Sequence, residues 1–315
     1  MFVPAFGRVV DEAHTEAFFA RMPQIKNVCA EILSGEDTNR DIDLCDIYVS
    51  VTGKPFDSLN QNPRGFCVGF NTAKTCTLEL AMQAFANEIS WPGADVAVEP
   101  IYGGSRFEIG YQKYRSSLYR GGDGSVGTYA AEWLIDYGIL LKKDYGTVDL
   151  TNYSLDRCAR YGSRGVEDSI EDDAKLHPFT VFTRIDTAEQ LWKVIGELHP
   201  AVHCSNQGFS MRRESSGLCI PSGNWAHCAG WSGRFTLRNG RRVFRYDNSW
   251  EGRSDGMGYL GAPVVIEGQN GPIKLNGNQF LVELDTADRM CRSGRETFTF
   301  AGPKGFSKRA SLYLI

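Results

Sequence analysis

Residues 61–73, QNPRGFCVGFNTA, decide how this chain reads. The stretch opens with polar and turn-forming residues, and Pro63 and Gly65 keep it out of regular structure. Beyond Gly65 the pattern changes. Phe70, Leu78, Leu80, Ala81, Ala84 and Phe85 recur at three- and four-residue intervals, which predicts a helix over 66–87 with Cys67 at its start. A thiol at a helix N-terminus is favoured as thiolate by the helix dipole and by any nearby imidazolium. Gln61, six residues upstream, is close enough for its amide to share an oxyanion site with the Cys67 backbone N–H.

Such a nucleophile needs a base and a group that orients the base. His227 lies in GNWAHCAGW (223–231), a small-residue stretch that suits a buried strand, and Asn248 lies in YDNSWEG (246–252). Between them RFTLRNGRRVFRY (234–246) reads as a hairpin with Asn239-Gly240 as a type I′ turn. A hairpin returns the chain to its origin, so His227 and Asn248 are expected to be neighbours. An asparagine carbonyl accepting from one imidazole nitrogen would turn the other toward the thiol. Trp250 would shield that bond from water.

With these residues placed, the chain resembles the papain family of cysteine peptidases. The family's Gln…Cys-x-x-Phe helix start matches Gln61, Cys67 and Phe70. Its Gly-Gly segment and following Tyr-Gly-Ile match Gly121-Gly122 and Tyr137-Gly138-Ile139. Its His followed by small residues matches His227 and Ala229-Gly230, and its Asn-Ser-Trp and Gly-x-Gly-Tyr match Asn248-Ser249-Trp250 and Gly256-Met257-Gly258-Tyr259. The match spans about residues 60–265. It implies Cys67, His227, Asn248 and Gln61 as the catalytic set, and Gly121 and Gly122 as substrate contacts. It also implies an apolar side-chain pocket bordered by the second turn of the helix over 127–137. The stretches RGGDGSVG and GNWAHCAGW are similar to those of divergent papain-like proteins of tailed phages. Departures are Arg64 where secreted members carry Cys, Val68 where Trp is usual, Ala226 before the histidine and Glu251 after Asn-Ser-Trp. The 160 residues from Cys67 to His227 exceed the usual ~130–150 and call for loop insertions.

The expected fold is α+β and two-lobed. Residues 1–60 form an N-terminal extension, 61–175 a helical lobe with Cys67, and 176–315 a β-rich, antiparallel barrel-like lobe with His227 and Asn248. The extension is read as a cap over the cleft, with an extra packing element or assembly arm as the rival. Within it a helix is expected over 11–33 and a strand over DIYVSV (46–51). Residues 88–120 read as looped, and 162–176 as a polar connection between lobes. FTVFTRI (179–185) and AVHCS (201–205) read as strands, flanking a helix up to Leu198 that Asp186 and Glu189 cap.

At 315 residues and a formal charge of −4, the chain has no general attraction to nucleic acid or anionic lipid. No apolar run reaches the ~20 residues of a membrane span. MFVPAFGRVVDEAH (1–14) lacks the apolar core of an export signal, so the expectation is a cytoplasmic or virion protein. The nine cysteines are then expected to be mostly reduced. No cofactor and no metal are expected. Pro200 separates His199 from His203 and Cys204, and GEDTNRDIDLCD (35–46) lacks the glycine and glutamate of a calcium loop. Arg234, Arg238, Arg241, Arg242 and Arg245 read as a solvated hairpin face. The expected partner is a peptide or protein substrate. The rival readings are a weakly active or inactive papain-like scaffold with structural partners in a larger assembly, such as a phage particle, and a cell-wall peptide hydrolase or amidase.

Overall fold

Capping residues set where the helices begin. In this computed structural model, which describes residues 6–22, 40–117 and 122–308, the Asp11 carboxylate accepts from His14 N–H and opens helix α1 (Glu12–Arg21). The rest of the helix expected to Leu33 lies outside the described residues. Asp43 ends the two-residue strand β1 (Ile42–Asp43) and caps α2 (Leu44–Thr52), which Gly53 closes in a left-handed conformation. The strand expected over 46–51 is therefore helical. Val49, Val51 and Ile47 favour a strand as residue types, but an aspartate cap, a glycine stop and the burial of Leu44, Cys45 and Tyr48 on one side outweigh that preference.

Helix α3 (Cys67–Phe85) begins at the expected residue and runs through the middle of the molecule, buried on nearly every side. Residues 88–120 are not simply looped. Helix α4 (Val98–Gly104) continues into a π-helical stretch, Ser105–Lys113, where Tyr114 N–H reaches the Ile109 carbonyl. Its glycines face close neighbours rather than marking turns: a Cβ on Gly104 would collide with the Trp133 ring. Helix α5 (Gly127–Asp136) follows, then α6 (Leu155–Arg164) and α7 (Asp168–Ala174), so the acidic stretch 162–176 is largely helical too.

The second half is built on antiparallel strands. These are β2 (Val181–Arg184), β3 (Ala201–Phe209), β4 (Pro221–Thr236), β5 (Arg242–Asp247), β8 (Gln279–Glu283) and β9 (Glu296–Ala301), in the sheet order β2-β9-β3-β4-β5-β8, with β1 also paired to β4. Strands β6 (Val264–Glu267) and β7 (Pro272–Leu275) form a separate hairpin. Helices α8 (Ala188–Gly196) and α9 (Leu284–Gly294) share an apolar core with this sheet. The capping box of α8 is Thr187 with Gln190, one residue later than expected. The β4–β5 turn is not type I′, since Gly240 (φ 81°) has positive φ and Asn239 does not. Leu237 accepts from Gly240 N–H, leaving a left-handed glycine after a tight turn.

One apolar core lies among α3, α4 and α5, and a second lies between the sheet and α2, α8 and α9. Helix α3 contributes to both. The hairpin arginines form a solvated face only in part, since Arg238 and Arg241 are exposed but two others are buried. Arg234 is buried against the carbonyls of Trp192 and Arg40, and Arg245 is buried against Asp43 and Ser232. Arg238, Arg241 and Arg242 pair with Glu267, Glu283 and Glu189. The expectation of mostly reduced thiols holds for Cys45, Cys67, Cys76, Cys158, Cys219 and Cys291, but Cys204 and Cys228 face each other across β3 and β4 and are bonded.

Candidate active site

The stretch that precedes α3 is anchored from the other half of the chain. Gln61 N–H donates to the Ser249 carbonyl, and Ser249 Oγ donates to Gln61 Oε1 at 2.7 Å. Gln61 Nε2 donates to the Arg64 carbonyl at 2.8 Å, which shapes the loop into Cys67. Cys67 is the first residue of α3 and fully buried. The backbone of Cys228, Gly7 and Val68 lies beside its sulfur. Burial nevertheless pushes the thiol up to about 11, so in this state desolvation outweighs the helix dipole.

His227 lies in β4, immediately before Cys228. Its Nε2 donates to Asn248 Oδ1 at 2.7 Å, while its Nδ1 is buried without a hydrogen-bond partner. Burial, helped by the charge of Lys74, lowers the imidazole to about 4 against the opposing Asn248 bond. Trp250 covers the ring, with centroids 4.5 Å apart. Cys67, His227, Asn248, Gln61 and Trp250 are thus gathered in one place. Gly122 is exposed with its carbonyl held by Arg106, and Gly121 lies outside the described residues. His199 and His203 sit apart from each other, bonded to Glu79 and Thr297. Among the described residues no cluster of histidine, cysteine and carboxylate side chains is arranged to hold a metal ion.

Two polar residues of α3 join this arrangement. Asn71, one turn beyond Cys67, donates from Nδ2 to the Cys67 and Cys228 carbonyls and to Ser249 Oγ. Lys74, a further turn on, is buried against the Asp247 carboxylate and donates to the Asn248 carbonyl at 2.8 Å. Both lie on the Cys67 face of the helix; the sequence reading missed them, and their spacing of four and seven residues from Cys67 is the signal that could have found them.

The N-terminal segment crosses the site. Gly7 and Arg8 N–H donate to the Ala226 carbonyl, Ser125 N–H donates to the Gly7 carbonyl, and Val9 N–H donates to the Ser125 carbonyl. Phe6 packs on Trp250, Trp225 and His227 with centroids 5.8–6.4 Å apart. Gly7 fits because it has no side chain: a Cβ there would lie 2.0 Å from the Gly65 carbonyl oxygen. The Gly7 carbonyl is thus taken by Ser125 and its N–H by Ala226.

No protein-family model matches the chain, and no curated protein matches it. Among solved structures it is similar to proCathepsin B S9 from Trypanosoma congolense, at 13% identity over 95% of this chain and 87% of that one, with a TM-score of 0.53. It is also similar to digestive procathepsin L 3 of the Tenebrio molitor larval midgut (13% identity, 95% and 84% covered, TM-score 0.50). A third likeness is to the proform of the ragweed pollen cysteine protease Amb a 11 (14% identity, 92% and 74% covered, TM-score 0.50). These likenesses carry the fold, which is papain-like and α+β.

Proposed function

We propose that this chain is a cysteine peptidase, folded here in a latent state, with Cys67 as nucleophile and His227 as its base. The observation that carries the reading is the His227–Asn248 bond. It commits Nε2 as a donor and leaves Nδ1 as the basic nitrogen, on the residue next to Cys228, whose backbone lies beside the sulfur. In the working state Nδ1 takes the Cys67 proton and the thiolate attacks a peptide carbonyl. The oxyanion is met by the Cys67 N–H and the Gln61 amide. His227 returns the proton to the leaving amine, and water then hydrolyses the thioester. The substrate is a peptide or protein, and this sequence of steps calls for no metal or organic cofactor.

Residues 6–9 act as a plug. They lie against both the thiol and the imidazole and would keep water and substrate from them. This keeps thiol and imidazole neutral, since burial raises one and lowers the other. The same neutral, buried pair is what favours the second reading, an inactive scaffold. An epoxide thiol inhibitor separates them: a peptidase labels at Cys67 once the plug is loosened, and a scaffold does not.

A further inference from the structure

Among the described residues Cys204 and Cys228 are bonded to each other, while six cysteines are free thiols. The bonded pair is fully buried and stands opposite across β3 and β4. Each half touches the candidate site. Cys228 follows His227, its carbonyl accepts from Asn71 Nδ2 at 2.6 Å, and its backbone lies beside the Cys67 sulfur. Cys204 pairs with Glu296 across β3 and β9. Its sulfur is packed against Gly127, where a Cβ would lie only 2.8 Å from it.

Residues 6–9 are fastened on both sides of this bond. On the Cys228 side, the Gly7 and Arg8 N–H groups donate to the carbonyl of Ala226, two residues before Cys228. On the Cys204 side, Arg8 Nε donates to Glu296 Oε2 at 2.9 Å, and Arg8 Nη2 donates to the Gly294 carbonyl at 3.3 Å. Gly294 is itself close-packed, since a Cβ there would lie 3.2 Å from the Cys204 carbonyl oxygen. Two thiols cannot stand as close as two bonded sulfurs. In a packed interior that extra separation has to come from the neighbours. Reduction therefore spreads β4 from β3 or drives Cys204 toward Gly127 and Glu296, and either shift disturbs an anchor of the segment.

We infer that the Cys204–Cys228 pair is a redox latch on the site: bonded, it keeps both anchors of residues 6–9 in place, and reduced by a low-molecular-weight thiol it releases them and opens Cys67. The consequence for cleavage rests on the peptidase reading; the opening of the thiol does not. In the step, a thiolate attacks one sulfur of the pair, forms a mixed disulfide and frees the other cysteine, which takes a proton. A second thiol then displaces the first from the mixed disulfide. The pair gains two electrons and two protons, and the two small thiols leave joined as their own disulfide. Cys67 is a free thiol in the latched chain, so the latch is separate from any oxidation of Cys67 itself. Because reduction favours release, release favours reduction by the same factor.

The test treats the full, folded chain with dithiothreitol, removes the reagent, and follows iodoacetamide labelling at pH 7 by peptide mapping, which reports Cys67 and the state of the pair together. Reduction of Cys204–Cys228 is expected to speed labelling of Cys67 at least tenfold. The chain with Cys204→Ala and Cys228→Ala is expected to label at one rate with or without dithiothreitol. Should it not fold, Cys204→Val with Cys228→Ala carries the same control. A pair that resists dithiothreitol, a reduced pair with Cys67 unchanged, or a dithiothreitol effect that survives in the control each overturns the latch. In glutathione buffers the Gly7→Ala chain is expected to have its pair reduced at least tenfold more readily than the parent, and equal midpoints also overturn it. Faster labelling of Cys67 without peptide hydrolysis by the reduced chain sinks the peptidase reading and retains the latch. Hydrolysis at the same rate by the oxidised and reduced chains sinks the latch alone.

Discussion

His227 Nε2 and Asn248 Oδ1 lie 2.7 Å apart, buried beneath Trp250, although 21 residues of hairpin separate them. The amide oxygen is an acceptor, so it holds the proton on Nε2 and aims Nδ1 away from itself. Without it the ring loses both its tautomer and its pose. Asn248→Ala is expected to lower the rate of Cys67 acylation in an unplugged chain by about a hundredfold, the lower end of what a positioned base contributes. An unchanged rate would remove Asn248 from the machinery. The comparison is made by stopped-flow with a chromogenic thiol ester.

On the proposed reading, residues 6–9 control access to the thiol. Because burial lifts Cys67 to about 11, iodoacetamide should modify it slowly at pH 7 and faster only as the pH approaches that value. Gly7→Ala places a methyl against the Gly65 carbonyl and is expected to eject the segment. Modification at pH 7 should then rise by at least tenfold, with the far-ultraviolet circular dichroism unchanged. Peptide mapping identifies the site. Equal labelling of both chains would mean that residues 6–9 do not guard the sulfur.

Acid should destabilise the chain through its buried imidazoles. His227 is lowered to about 4 and His203 to about 3, both chiefly by burial. In the unfolded chain each takes up a proton near pH 6.5, whereas the folded chain resists until well below that. The unfolded state therefore binds more protons in this window. The stability is present above pH 6.5 and is lost as the pH falls toward 4. Urea titrations at pH 7.5, 6 and 4.5 should show a falling midpoint, and His203→Asn should flatten the slope.

Lys74 and Asp247 clamp α3 to the strand that leads into Asn248. Lys74→Met leaves a buried carboxylate with Ser232 and Gln279 as its remaining partners. It should cost about 3–5 kcal/mol, as loss of one member of a buried pair does. Lys74→Met with Asp247→Leu should recover much of that. Additive losses in a double-mutant cycle would show that the pair is not coupled.

The nucleophile end of the site was legible because helix periodicity and the break at Gly65 are local signals. The base end was legible because a hairpin turn is local and returns the chain on itself. Helix α2 was not, since its β-branched residues mask a cap at Asp43 that works through a single side chain. Helix α4 was hidden by Pro100, which sits in its first turn, and by Gly103 and Gly104, which the chain uses for close packing and not for turns. Glu296 and Arg8 stand 288 residues apart, and no pattern in the chain links them. The burial of Arg234 and Arg245 depends in the same way on residues 40–43, which pair with the far end of the hairpin.

The peptidase account is tested most directly by mass spectrometry of the Gly7→Ala chain after exposure to an epoxide thiol inhibitor at pH 7. The account predicts one adduct on Cys67, formed at a rate that His227→Ala lowers by about a hundredfold or more. No adduct on Cys67, or one formed equally fast without His227, would contradict it.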